Sequence, residues 1–476
     1  MNRSKIMLLL RNINTRDRRR LRKFLHSPFF NENEELCKLY DFLFESVASP
    51  PNKKKCWAHL YPQRPYDDQA FRHLLSNLHS LALEFLTYEQ LQKSPLTAQT
   101  LLLASVNKVE LHKHFEGVVR SINRQSLDPG ILAPHFHHQL SRVEHYQHQN
   151  LELSEKRVRT FKHLENADYQ LDCYYISQKL KNYCDFLGYQ KTLQQEAHIQ
   201  LPPDFLEYVA HSAFLKEDIV RAYFLAANMM LLPDEEHYYQ QLLQLLIQLG
   251  QRFEKKEQQQ LFIHLINYCI DTKINQGRQD YFQELFILYK DTLKQQIIFN
   301  GQELDPQHYK NIITVGLYVR SFDWVEQFIQ EYTPQLPESN QENALNYNLA
   351  KVYFQQEKYE QVIEQLREVE YKNISYALGG KLMLLKTYFE LGEFLALDSL
   401  AESFRIYLRR NQLISKDLKQ QYLNVIRFVR KLSTVAPFDQ KALERIHLQI
   451  EDCKALADKA WILAKLGELN KSSRKA

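Results

Sequence analysis

Apolar residues recur at three- and four-residue intervals along most of the chain. In the segment NLAKVYFQQEKYEQVIEQL, residues 348–366, Leu349, Tyr353, Tyr359 and Leu366 follow this spacing, and a polar turn interrupts it once. An α-helix completes one turn in about 3.6 residues, so the spacing is typical of an amphipathic helix. Two such helices joined by a polar turn predict a helical hairpin.

The same pattern returns at a fixed period. Three tyrosines follow one another at intervals of 35 residues: Tyr318, Tyr353 and Tyr388. The sixth residue after each tyrosine is again aromatic: Trp324, Tyr359 and Phe394. A fixed period in the thirties with two amphipathic helices in each unit indicates a helical repeat, in which each hairpin buries its apolar face against its neighbour.

The units resemble the tetratricopeptide family, whose period is 34 residues. The middle unit matches through Leu349, Ala350, Tyr353 and Tyr359, whereas Val362 stands where the family prefers alanine. The third unit matches at the following positions: Leu384, Leu385, Tyr388, Gly392 and Phe394. The first unit is degenerate at Thr314, Val315 and Gln327. The clear resemblance covers residues 305–410 and implies an all-α fold, a right-handed superhelical array of antiparallel helix pairs, as in bacterial repeat proteins of unassigned function.

The flanking sequence predicts further helices that extend the array over residues 130–476. They are 164–189, 204–230, 235–250, 255–275, 279–294, 415–434 and 438–468, with a turn at 299–306. The first of them resembles a degenerate repeat unit. The chain has 11 glycines in 476 residues, about 2% against a typical 7%. Strand-rich folds and phosphate-binding loops need more glycine than this, so the composition also favours an all-α fold.

Residues 1–129 do not follow the period and form a separate small helical block. A basic helix is predicted from Arg16, a second helix over 33–45, and two more over 54–61 and 67–92, where Asp67 or Asp68 is suited to cap the last. This block resembles the front end of bacterial proteins that also carry helical repeats, a resemblance that implies no activity.

Positive charge is concentrated at the beginning of the chain. The net charge is +4, and residues 1–25 hold nine basic residues against one acidic residue. The central arginines are Arg16, Arg18, Arg19, Arg20 and Arg22, around a packed stripe of Leu21, Phe24 and Leu25. They are compatible with a solvated face, with contact to an acidic protein or lipid surface, and with phosphate contacts to nucleic acid.

Helices 54–61 and 67–92 would form a helix-turn-helix in the nucleic-acid interpretation. Their turn contains two prolines and no glycine, and the second helix offers few base-reading groups: Gln69, Arg72, His73 and Asn77. Nucleic-acid binding is therefore the alternative to a protein-binding function. In that alternative the basic helices would contact nucleic acid, and the repeats would act as a sensor or an oligomerisation module.

Motifs for enzymatic chemistry are not found in the sequence. It has no GxxxxGK, GxGxxG, HExxH or GxSxG segment. The six cysteines are scattered without a CxxC pair, which favours buried reduced thiols and a cytoplasmic location. Neither a secretory signal nor a membrane span is expected. Histidines within 112–148 are interpreted as partly exposed polar residues, and no metal, cofactor, small-molecule substrate or catalytic pair is predicted.

These observations predict a non-enzymatic scaffold that binds a protein or peptide partner on the concave face of the array. The family resemblance implies partner contacts through the first helix of each pair: Tyr347, Lys351, Phe354, Leu382, Lys386 and Phe389, with Ile312 and Val319 from the degenerate unit. Lys351 and Lys386 are one period apart, and we expect both to be exposed on one face and to favour an acidic partner.

The family's clamp for terminal carboxylates is not predicted. Only Asn348 resembles it, since Met383 and Gly316 occupy positions where clamp residues would be needed.

Overall fold

The described part of the chain is almost entirely helical. A computed structural model describes residues 1, 4–47, 49, 51–126, 132–153, 160–190, 199–338, 341–367, 374–436 and 439–475. Helices make up 79% of it, and within these ranges there are 23 α-helices. The two strands found in the same ranges are β1 (Phe299–Asn300) and β2 (Glu303–Leu304), an antiparallel pair in the segment predicted as a turn. The all-α prediction is confirmed.

Five helices enclose the first hydrophobic core. They are α1 (Lys5–Asn12), α2 (Thr15–Leu25), α3 (Glu34–Glu45), α4 (Lys53–Leu60) and α5 (Asp68–Gln92). The predicted stripe Leu21, Phe24 and Leu25 is buried in this core. Asp67 caps α5, since its carboxylate accepts hydrogen bonds from the backbone N–H groups of Gln69 and Ala70.

The next helices differ from the predicted repeat. They are α6 (Pro95–Lys108), α7 (His112–Ser126), α8 (Pro134–Leu153) and α9 (Lys162–Gln190). The segment 164–189, predicted as a degenerate repeat unit, lies within one continuous helix of 29 residues. A repeat unit needs two helices, so this prediction is wrong. The segment contains one glycine, near its end, and no proline, and nothing within it ends the helix.

The middle of the chain consists of shorter helices: α10 (Phe205–His211), α11 (Asp218–Leu231), α12 (His237–Leu249), α13 (Lys255–Asn267) and α14 (Tyr281–Lys294). The helix predicted over 204–230 is interrupted after α10. Ser212 has an extended backbone, and its hydroxyl donates to the Val209 carbonyl at 2.8 Å. Such local side-chain bonding competes with helix continuation.

Helix pairs occupy the segment with the clear period. They are α15 (Pro306–Tyr318) with α16 (Phe322–Tyr332), α17 (Gln341–Gln355) with α18 (Tyr359–Arg367), and α19 (Ile374–Glu390) with α20 (Phe394–Arg410). The chain continues with α21 (Lys416–Thr434), α22 (Gln440–Glu451) and α23 (Lys459–Lys475). Each of α15–α20 contacts the next helix, and α15, α17, α19, α21 and α23 contact one another in succession.

The first helix of each pair ends in the same hydrogen-bonded turn. One residue in each turn has a positive φ: Arg320 (57°), Glu357 (59°) and Gly392 (71°). In each turn the N–H of this residue donates to a carbonyl three residues back, and the next N–H donates to a carbonyl five residues back. This is the Schellman arrangement, which satisfies the free carbonyls at a helix C-terminus. The three pairs therefore share turn geometry as well as sequence period.

The chain divides into two compact units. One comprises Met1–Asp185, Ala197–Phe224 and Gln251–Glu254, and the other comprises Phe186–Glu196, Leu225–Gly250 and Lys255–Ala476. The boundary predicted between residues 129 and 130 lies outside the described residues and stays a prediction. In the second unit, Leu397, Phe404, Phe428 and Ile450 belong to a core formed by helices from α19 onwards.

Candidate functional site

A cavity of about 560 Å³ opens among the first helices of the pairs in the second unit. Its lining comes mainly from α15, α17, α19 and α21, with Arg320 from the turn after α15, Phe322 from the start of α16 and Asp458 from the turn before α23. Five predicted partner-binding residues line it: Tyr347, Lys351, Phe354, Leu382 and Lys386. The structure thus brings together side chains from two neighbouring sequence repeats, at positions 35 residues apart.

Whereas Arg320 in this lining is exposed to solvent, Lys351 is half-buried and has no counter-charge among the described residues. Its ammonium lies 5.1 Å from the centroid of the Tyr347 ring, within cation–π range. No carboxylate of the described residues forms an ion pair with it. Burial, with a smaller contribution from the charge of Lys310, lowers the pKa of Lys351 to about 8. An anion bound here would therefore meet a partly desolvated ammonium.

Lys386, at the equivalent position of the next pair, is already neutralised within the chain. Its ammonium forms an ion pair with the carboxylate of Asp458. It also lies between two rings, 5.0 Å from the centroid of Phe354 and 5.1 Å from that of Trp461. The side chain of Lys386 is 14% exposed. The two lysines are therefore equivalent in sequence but different in electrostatic state.

The prediction that both lysines are exposed is wrong. Lys351 is half-buried, and Lys386 is covered by the chain's own C-terminal segment. Each ammonium lies within cation–π distance of an aromatic ring, Lys351 at Tyr347 and Lys386 at Phe354, and these contacts withdraw it from bulk solvent. From the degenerate unit, Ile312 is fully buried and Val319 is half-buried, and Thr314, Leu317 and Tyr318 line the cavity instead.

Phe389 lies one turn beyond the cavity lining on α19. Its ring meets that of Trp461 at 5.6 Å between centroids, and the neighbouring Glu390 accepts a hydrogen bond from the Trp461 indole at 3.0 Å. Lys465 forms a 2.8 Å ion pair with the same carboxylate. The predicted contact residue Phe389 is therefore packed against α23.

A close helix approach shapes the wall of the cavity. Gly379 on α19 lies against the Tyr347 hydroxyl, and a Cβ at this position would overlap that oxygen. The glycine thus permits the ring of Tyr347 to reach α19. Burial raises the pKa of Tyr347 to about 12, so the phenol is neutral at physiological pH. Periodicity alone did not indicate this role of Gly379.

The sequence did not indicate several other residues of the site. Arg320 enters the lining because it occupies the positive-φ turn position after α15. Tyr422 on α21 and Asp458 in the turn before α23 lie beyond the clear repeats. Only the folded path of the chain brings Asp458 to Lys386, 72 residues away in sequence.

The basic N-terminal helix is only partly a solvated face. Arg22 donates to both carboxylate oxygens of Asp41, at 2.8 and 3.2 Å. Arg20 forms a 2.7 Å ion pair with Glu89, whose side chain is 6% exposed. Arg16 and Arg19 are exposed, and Arg18 is half-buried. Two of the five predicted anion-contacting arginines therefore hold helices of their own block together.

Histidines of the 112–148 segment take part in contacts between helices. His137 lies 2.7 Å from the Gln170 side chain, and His138 stacks on Tyr174 at 5.0 Å between centroids. Among the described residues, no group of three or more histidine, cysteine, aspartate or glutamate side chains is arranged to hold a metal ion.

All six cysteines are free, and four of them are buried. Burial is the main cause that raises the pKa values of Cys173 and Cys269 to about 12, which keeps both thiols protonated at neutral pH. No helix in the described ranges has the length and apolar character needed to span a membrane.

Comparison with known proteins gives no relative: no family model, no curated protein and no solved structure matches the chain. The tetratricopeptide resemblance therefore stays a prediction.

Proposed function

We propose that this chain is a non-enzymatic interaction scaffold that holds an acidic segment of a protein partner in the cavity along α15, α17 and α19. The observation that carries the proposal is Lys351. Its half-buried ammonium has no carboxylate partner among the described residues, although it lies in a cavity large enough for several side chains.

Desolvation makes this position favourable for an anion. A buried unpaired charge lowers stability, and a partner carboxylate would relieve that cost when the complex forms. The rings of Tyr347 and Phe354 add apolar surface beside the ammonium. Aromatic residues with a central charged group are typical of the positions that dominate interface energies.

The helix pairs supply the framework in this proposal. Contacts between successive first helices, together with the repeated Schellman turns, support a tetratricopeptide-like array with a concave binding face. We propose the right-handed superhelix as its arrangement and the cytoplasm as its location, where free cysteines stay reduced. Internal pairing of Arg20 and Arg22 makes the basic N-terminus less favourable for nucleic acid than the sequence suggests.

A peptide titration tests the proposed site. The probe is an acetylated and amidated peptide of six glutamates, flowed over the immobilised full chain. We expect K351Q to weaken binding about tenfold, as for the loss of one partly buried charge pair. The matched control is K416Q, an equal change of charge at an exposed lysine on α21. Equal affinities for K351Q and K416Q would contradict the proposal.

A further inference from the structure

Asp458 occupies, from within the chain, the position that a ligand carboxylate would take at Lys386. Its ion pair with Lys386 supplies, one repeat further on, the interaction that Lys351 does not make with any described carboxylate. Asp458 also has a positive φ of 49°. Few residues other than glycine adopt this conformation, and asparagine and aspartate are the main exceptions.

The turn that carries Asp458 is held in place by the next helix. Trp461 covers one side of the Lys386 ammonium and donates to Glu390 on α19, and Lys465 pairs with the same carboxylate. The side chain of Asp458 is itself 34% exposed at the cavity. Exchange of its carboxylate for another one is therefore sterically open from the cavity side.

We propose that the cavity has two anion positions one repeat apart, an open one at Lys351 and one at Lys386 that Asp458 closes. This inference rests on the proposed function. A segment with a single carboxylate binds at Lys351 without any rearrangement of the chain. A segment with two carboxylates gains its second contact only when it displaces Asp458, so Asp458 sets the selectivity of the site.

The spacing of the two positions defines the ligand that would use both. α17 and α19 contact each other, and packed helices have axes about 8–10 Å apart. An extended polyproline II segment rises by about 9 Å over three residues and returns to the same side. The ligand class is therefore an extended peptide with acidic residues at positions i and i+3.

Two probe peptides test this inference on the full chain. Both are acetylated, amidated and fluorescently labelled, one containing Glu-Pro-Pro-Glu and the other Glu-Pro-Pro-Gln. Wild-type protein should bind the two with affinities within about threefold. D458N should bind the two-acid peptide about tenfold more tightly than wild type, as expected for one added charge-assisted contact. It should change the affinity for the one-acid peptide much less, because a single carboxylate can occupy only one of the two positions at a time.

D458N is chosen because asparagine tolerates the positive φ, so the turn is expected to fold. The control is D452N, the same charge change at an exposed position six residues earlier. Adding K386Q to D458N should remove the gain. If D458N and D452N bind the two-acid peptide with equal affinity, the proposed closed position at Lys386 is wrong. If K351Q at the same time loses binding of the one-acid peptide, the proposed function at Lys351 still holds. If K351Q binds both peptides as wild type does, the open position fails as well.

Discussion

The protonation of Lys351 determines whether the affinity of the site for an acidic ligand rises or falls with pH. The charged and titratable groups around this lysine are Lys310, Arg320, Tyr347 and the Lys386–Asp458 pair, and the pKa of Lys351 is about 8. An acidic ligand needs the ammonium, so affinity for the glutamate peptide should fall as pH rises through 8, by up to about tenfold for each pH unit. Titrations at pH 7 and pH 9 measure this, and K351Q should show no such fall.

The same group affects stability in the opposite direction. The pKa of an unfolded lysine is about 10.4, higher than that of folded Lys351, so between pH 8 and 10 the unfolded state binds more protons. The free energy of unfolding of the wild type should therefore rise with pH relative to that of K351Q over this window. Denaturant titrations at pH 7.5 and 9.5 compare the two, and a relative fall would mean that Lys351 is not desolvated.

Arg20 provides a second test at the residue scale, because its partner Glu89 is almost fully buried. R20E would place a second negative charge against the buried carboxylate of Glu89 and should lower the free energy of unfolding by about 2 kcal/mol or more. R16E, the same change at an exposed arginine, should stay within about 0.5 kcal/mol of wild type. Equal effects would show that the basic helix is a uniform solvated face.

At the scale of elements, the repeated turn explains what the sequence could and could not predict. The helices of the pairs follow from apolar spacing, and their predicted positions agree with α15–α20. The shared Schellman turn is visible in sequence only at Gly392, since Arg320 and Glu357 take the same backbone conformation without being glycine. The Schellman hydrogen bonds accompany this conformation at both exposed positions, and neither residue type signals it in the sequence.

Glu357 should therefore be a position where glycine stabilises the chain. E357G relieves a left-handed conformation that costs about 1 kcal/mol for a residue with a side chain, offset in part by the greater freedom of glycine in the unfolded state. The expected gain is up to about 1 kcal/mol in chemical denaturation. E360G, an exposed glutamate on α18, should instead lose about 1 kcal/mol. A loss of stability in E357G would contradict the assigned turn.

At the scale of the whole molecule, local pattern predicted the helix content, and long-range contacts decided the site. The helical lining through Lys351 and Lys386 follows from the 35-residue period, which places equivalent residues on neighbouring helices. The state of Lys386 could not be predicted, because Asp458 and Trp461 lie outside the clear repeats, in the turn before α23 and in α23 itself. Similarly, the break after α10 depends on a Ser212 hydrogen bond that periodicity does not contain.

The most direct test of the scaffold function is affinity purification of the full chain from its native cells, compared between wild type, K351E and K416E. We predict that a stoichiometric protein partner is recovered with wild type and K416E, survives nuclease treatment, and is lost with K351E. The loss follows from repulsion between an acidic segment and the new carboxylate in the cavity. Recovery of the same partners with K351E, or recovery that depends on nucleic acid, would contradict this account.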